Sequence, residues 1–268
     1  MTAIWLNGSI VEEEQARLMP SERGFTLADG IFETVRAIGT QPLWWPDHLA
    51  RLKRGAACFG IKLPYSDRII EDALFKLLVT TGYHESAVRM TLSRGPTAQR
   101  GLLPPSDAVK PTFLITVAPT TLIQAPRTVI IARSTRRNEH SPLSRIKSLN
   151  YGDNLIAHRE AIERGAGDAL LLNGCGNLAC ATAGNVFLRL DGCWVTPPPS
   201  DGVLAGIARR RLISILKARE ETIPAASLTR TDAVLVSNSL GCSSVVQIDG
   251  RELAPAGDEF DFGALYAD

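Results

Sequence analysis

The segment NEHSPLSRIKSLNY, residues 138–151, places one lysine, Lys147, between a strand-like stretch and the start of a helix. Lysines are usually solvated. Ile146 and Leu149 flank this one, which predicts a partly buried setting. A buried lysine loses proton affinity and becomes a nucleophile. On these residues alone the plainer account, a solvated lysine on an edge strand, is the stronger. Downstream, Asn150 to Arg164 has helical character and Gly165 supplies a C-terminal stop. Ala169 to Leu172 reads as a strand, and Asn173-Gly174-Cys175-Gly176 as a turn.

Further out, the N-terminal part alternates strands and helices. Ala3 to Leu6 and Ser9 to Val11 form a hairpin pattern around Asn7-Gly8. Gly30 to Ala37 reads as a strand. Asp47 to Phe59 is spaced as a helix that Asp47 would cap, and Ser66 to Thr80 as a second helix opened by Ser66-Asp67. Ala87 to Ser93 and Thr112 to Ala118 read as strands, joined by a loop rich in Gly, Pro and Arg. On the C-terminal side, strands are predicted at Thr128 to Arg133, Asn185 to Leu190, Cys193 to Val195, Ala233 to Ser237 and Val245 to Ile248, and a helix at Gly206 to Ala218. The proline-bounded stretch Pro119 to Pro126 is the candidate linker. The pattern predicts a two-domain α/β chain of the α+β type, with an N-terminal domain over 1–118, a linker over 119–127 and a C-terminal domain over 128–268.

Composition narrows the function classes. The 268 residues carry a formal net charge of +1, so no global field favours nucleic acid or an anionic membrane. Hydrophobic residues at 45% and charged residues at 21% fit a globular protein. No apolar run is long enough to span a bilayer, and the first residues lack the features of a signal peptide. The five cysteines include no CxxC pair, and the four histidines are scattered. The expectation is therefore reduced thiols, no metal centre and a cytoplasmic location.

Lys147 takes on more weight with the motifs around it. NEHSPLSRIKSLNY followed by AHREAIERGAGDALLLN (157–173) resembles the lysine region of class IV, fold-type IV enzymes that use pyridoxal 5′-phosphate (PLP). That family includes branched-chain and D-amino-acid transaminases and 4-amino-4-deoxychorismate lyase. The likeness extends through RGFTLADGIFETVRA (23–37), HLARL (48–52), the loop from Ser93-Arg94-Gly95 to Arg100-Gly101-Leu102, GNVF (184–187), the stretch from Thr196 to LAGIAR (204–209), and SNSL (237–240). It implies a smaller N-terminal domain, a larger C-terminal domain with a mixed, barrel-like sheet, and a cofactor at the domain boundary. It also implies a homodimer in which the loop over 94–103 reaches the partner's site.

Site residues follow from the resemblance position by position. Lys147 would hold PLP covalently. Arg51 would grip its phosphate, for which bidentate guanidinium geometry is suited. Gly206, Ile207 and Ala208 open a helix whose free N–H groups would cradle that phosphate. Asn238 and Ser239 would complete the cradle. Ala208 departs from the family's usual threonine, so one hydroxyl contact is lost. The hydroxyl of Tyr151 would hydrogen-bond the ring oxygen. Thr34, in FETVR, would relay a proton to a departing enolate of pyruvate. Glu33, Arg36, Arg94 and Arg100 are candidate substrate contacts, arginine being the natural reader of a carboxylate; a solvated surface arginine is an equal account of Arg94 and Arg100.

One position departs from the family in kind. A glutamate normally pairs with the pyridine nitrogen, keeping it protonated and the ring a strong electron sink. Here that position is Cys180. A thiol is a weak hydrogen-bond partner; it would leave the nitrogen neutral, or as a thiolate would pair with a pyridinium. Transamination needs the sink most, whereas in elimination the charge departs with the leaving group. The expectation is a lyase releasing pyruvate and 4-aminobenzoate from 4-amino-4-deoxychorismate, a step of folate synthesis. In that reaction Lys147, once displaced by the substrate amine, would take the ring proton. The alternatives are a branched-chain or D-amino-acid transaminase, and a relative whose catalysis is altered or lost.

Overall fold

The computed structural model describes residues 3–99, 101–104, 109–256 and 261–267. The chain divides into two compact units. The first runs to Thr121 and takes in Ile146–Asn150; the second holds Leu122–Arg145 and the chain from Tyr151 onward.

The first unit contains β1 (Ala3–Leu6), β2 (Ser9–Glu12), α1 (Arg23–Leu27), β3 (Gly30–Ile38), β4 (Gln41–Pro42), α2 (Trp45–Phe59), α3 (Asp67–Thr81), β5 (Glu85–Ser93) and β6 (Thr112–Pro119). The six strands form an antiparallel sheet in the order β2-β1-β6-β5-β3-β4. Residues alternate between faces along a strand. In β3, Ile31, Val35 and Ala37 pack with Leu49, Leu52, Leu74 and Leu77 of α2 and α3, so that face carries the core. Phe32, Thr34 and Arg36 occupy the opposite face.

The expected hairpin, helices and strands of this unit are present, with shifted ends. The largest difference is at α2. The helix begins at Trp45, and its cap position is Trp44 in a left-handed conformation, φ 54°. Asp47 therefore lies in the first turn and does not cap; there a carboxylate still favours the helix dipole. Ser66 does cap α3, its hydroxyl accepting from Ile69 N at 3.4 Å.

The second unit contains β7 (Arg127–Ile131), α4 (Gly152–Glu163), β8 (Asp168–Leu172), β9 (Leu178–Ala181), β10 (Asn185–Leu190), β11 (Cys193–Thr196), α5 (Ile207–Leu216), β12 (Arg219–Glu220), β13 (Ala233–Asn238), β14 (Gly241–Ile248) and β15 (Arg251–Glu252). They build a mixed nine-stranded sheet, ordered β12-β11-β10-β13-β14-β7-β8-β9, with β15 on β14. β7 pairs in parallel with both β14 and β8, whereas most other ladders are antiparallel.

The lysine segment lies in 128–268 by sequence, yet its backbone belongs with the first unit. The outer edge of β3 is covered by β4 only at Ala37 and Ile38. Its other end pairs with the distant segment: Phe32 N donates to Lys147 O at 2.8 Å, and Leu149 N to Gly30 O at 2.9 Å. Among the described residues no helix is long and apolar enough to cross a membrane.

Candidate active site

In the first unit the backbone pairing places Lys147 beside the face of β3 that bears Phe32 and Thr34. Its Nζ lies 4.2 Å from the centre of the Phe32 ring. The Arg89 guanidinium lies 3.9 Å from the same ring, and Arg89 sits opposite Thr34 in the β3–β5 register. Lys147 is half-buried, and its proton affinity falls to about 8, by burial first and then by the charges of Arg51 and Arg89, with Glu33 acting the other way. It is thus partly a free amine at neutral pH, as a nucleophile must be.

Below it, Glu33 is buried on the helix side of β3. Its Oε1 accepts from Arg51 Nε at 2.7 Å and its Oε2 from Arg51 Nη2 at 2.8 Å. His48 Nδ1 is 2.9 Å from Oε2. Burial would raise the Glu33 carboxyl, but these hydrogen bonds and charges outweigh it and hold the group at about 2. Burial keeps His48 below its ordinary value despite Glu33. Neutral His48 therefore donates from Nδ1, and its Nε2 is a buried acceptor without a partner.

Two of the substrate candidates, Glu33 and Arg94, are reassigned by these contacts. Glu33 is spent on Arg51 and His48. Arg94 donates to Asp29 through Nε at 2.7 Å and Nη2 at 3.1 Å, and to the carbonyl of Phe59 at 2.6 Å, so it ties the loop to the fold. Arg36 pairs through Nη2 with Glu85 at 2.7 Å, but its buried Nε and Nη1 have no partner, and it keeps donors for an anion. Arg100 lies outside the described residues. Arg89 and His48 were not singled out from sequence. His48 stands three residues before Arg51, so a shared helix face was legible. Arg89 reads as an exposed strand residue, and only the register brings it to Thr34.

In the second unit Gly206 caps α5 with no side-chain cap. A Cβ there would stand 2.0 Å from Asn185 Oδ1, so any other residue would displace Asn185 or the helix start. Asn185 Nδ2 in turn holds the carbonyl of Leu204 at 2.9 Å. Ile207 and Ala208 follow, both buried, at a helix start whose N–H groups suit a phosphate. Asn238 does not extend this cradle: its side chain donates to Ala183 O at 3.1 Å and accepts from Leu240 N at 2.8 Å. Ser239 is half-buried in the turn between β13 and β14. Tyr151 precedes α4, its carbonyl accepting from Leu155 N at 2.9 Å.

Cys180 lies in β9, opposite Leu171, within a cluster of Ala157, Ala161, Ala169, Leu171 and Ala179. Burial pushes its thiol up; Arg137 pulls it down and Asp168 raises it further. Of the two states expected, the neutral thiol is the one this setting favours. Asp168 cannot take the missing glutamate's place, because its oxygens serve Arg127 at 3.0 Å, the Ala169 N–H at 2.8 Å and the Thr182 hydroxyl.

In the first unit a lysine of lowered proton affinity and a fixed guanidinium suit an aldehyde that carries an anionic group; in the second, an uncapped helix start suits a phosphate. The model of the amino-transferase class IV family matches residues 30–248, and the chain belongs to that family, whose cofactor is PLP. A Methanocaldococcus jannaschii protein provisionally named a branched-chain-amino-acid aminotransferase is 28% identical over 256 residues, 92% of this chain and 88% of that one. The D-alanine aminotransferase of Staphylococcus haemolyticus is 27% identical over 259 residues, 94% and 91% of the two chains. A Legionella pneumophila crystal structure, provisionally named a 4-amino-4-deoxychorismate lyase, superposes with a TM-score of 0.84 at 28% identity, covering 92% of each chain.

Proposed function

We propose that the protein is a PLP-dependent lyase that releases pyruvate from 4-amino-4-deoxychorismate, leaving 4-aminobenzoate, and that it works as a homodimer. The observation that carries this reading is Cys180. PLP, when bound, supplies an electron sink whose strength depends on the protonation of its ring nitrogen. A buried neutral thiol offers that nitrogen no anion, which weakens amino transfer more than elimination.

The remaining residues fit the same chemistry. Lys147 holds the cofactor and, when released, is the base that takes the substrate proton. Arg51 and the N–H groups of Ile207 and Ala208 hold the phosphate, and Tyr151 the ring oxygen. Arg36 and Arg89, on the same face of the sheet as Thr34, suit a substrate with more than one carboxylate. Thr34 would relay to the leaving enolate the proton that Lys147 has taken, which leaves both groups as they began. The legionella neighbour supports the lyase reading; the transaminase relatives support the rival.

The decisive assay supplies purified, PLP-loaded protein with 4-amino-4-deoxychorismate, and separately with D- and L-amino acids plus 2-oxoglutarate. Release of pyruvate and 4-aminobenzoate, lost by roughly 10³-fold in K147A, is expected. Amino transfer without pyruvate release would sink the lyase reading.

A further inference from the structure

We propose that Glu33 is a positioning residue that turns Arg51 into a directed anion ligand, so that it tunes affinity for the phosphate of the cofactor and not for its ring. This rests on the reading of Lys147 and Arg51 as cofactor residues.

The geometry is specific. Glu33 takes Nε and Nη2 of Arg51, one edge of the guanidinium, and leaves Nη1 as the nitrogen it does not engage. The carboxylate cannot swing with its partner, because Oε2 is also held by His48. His48 and Arg51 stand three residues apart on α2, on one helix face. Glu33 lies on β3 between residues whose backbones are bonded to the lysine segment: Gly30 and Phe32 pair with Leu149 and Lys147. One strand therefore fixes both the guanidinium and the amine. Two opposing effects follow from removing the carboxylate. Arg51 would gain unbalanced charge, which favours an anion, and would lose its fixed orientation, which disfavours one. Ordering a rotamer-rich side chain on binding costs roughly three- to tenfold in affinity. Arg51 is buried, and without the carboxylate no acceptor among the described residues holds its guanidinium in one orientation, so the loss of orientation prevails.

The test compares binding of PLP with binding of pyridoxal, which has no phosphate, by equilibrium dialysis. The proteins are wild type, E33Q, R51K and the double variant. Wild type is expected to prefer PLP. E33Q should cut that preference, the ratio of the two affinities, roughly three- to tenfold, since any change at Lys147 acts on both ligands alike and cancels in the ratio, and should have no further effect in the R51K background. A parallel loss of both ligands, an unchanged or increased preference, or an equal loss in R51K overturns the role of Glu33. If E33Q does not fold by circular dichroism, E33D serves the same comparison, since its shorter arm cannot hold both guanidinium nitrogens. Borohydride reduction and peptide mass mapping of wild type separate the two levels. PLP on Lys147 with the preference intact in E33Q defeats only this inference, whereas wild type without PLP on Lys147 defeats the cofactor reading beneath it.

Discussion

Lys147 holds its proton less tightly than an exposed lysine because burial and two arginines oppose the charge, while Glu33 supports it. The rate of covalent capture of PLP should therefore rise with pH and level off above about 8. In E33Q the midpoint should move to lower pH, since the group removed is the one that raises it; stopped-flow absorbance reads both. Glu33 makes a second prediction. Its folded value of about 2 lies below the ordinary 4.5, so its stabilisation is present above about 4.5 and is lost as pH falls toward about 2. Near pH 7, E33Q should be less stable by about 3–5 kcal/mol, because Arg51 stays buried without its partner. That gap should close between pH 4.5 and 2 in urea titrations. At Cys180 the expected outcome concerns partition: on the proposed pairing of this position with the ring nitrogen, C180E would supply an anion and should raise the ratio of amino transfer to pyruvate release. A ratio equal to wild type would remove Cys180 as the reason for a lyase.

At the scale of elements, the start of α5 depends on one missing Cβ. In Gly206→Ala the new methyl would meet Asn185 Oδ1, which the Leu204 carbonyl contact holds in place. Asn185 or the helix start must shift, at about 1–3 kcal/mol. A fall in Tm together with weaker PLP binding is expected; unchanged PLP affinity would show that this helix start does not hold the phosphate. Strand β3 shows what local sequence can and cannot give. Its period of two was legible, and so was the division of Glu33 from Thr34 and Arg36. Its partners were not, because Arg89 and Lys147 reach it through hydrogen bonds across long separations. α2 shows the same limit at its start, where Trp44 in a left-handed turn replaces the aspartate cap that the composition favoured.

For the whole molecule, the proposed homodimer has a measurable basis. Phe25, Leu102 and Leu103 are 82%, 82% and 81% exposed, more apolar surface than single scattered residues explain. Arg23 brings them together by donating to the carbonyls of Gly101 and Leu102. Sedimentation at micromolar concentration should give twice the 29.0 kDa chain mass, and L102D/L103D should shift it toward the single chain. A 29.0 kDa species in wild type would refute the dimer.

Lys147 and its family were legible because the motifs occur in order along the chain, and motif order survives without knowledge of contacts. The candidate phosphate cradle at Gly206 and the loss of an acid at 180 were legible for the same reason; that a Cβ at 206 would meet Asn185 was not. The tertiary structure alone decided that the lysine segment joins β3, that Glu33 belongs to Arg51 and His48, that Arg94 serves Asp29, and that Cys180 is buried in an apolar cluster that favours a neutral thiol. These depend on which polar groups are buried together. A buried charge takes the nearest partner the fold supplies, and sequence spacing does not reveal that partner.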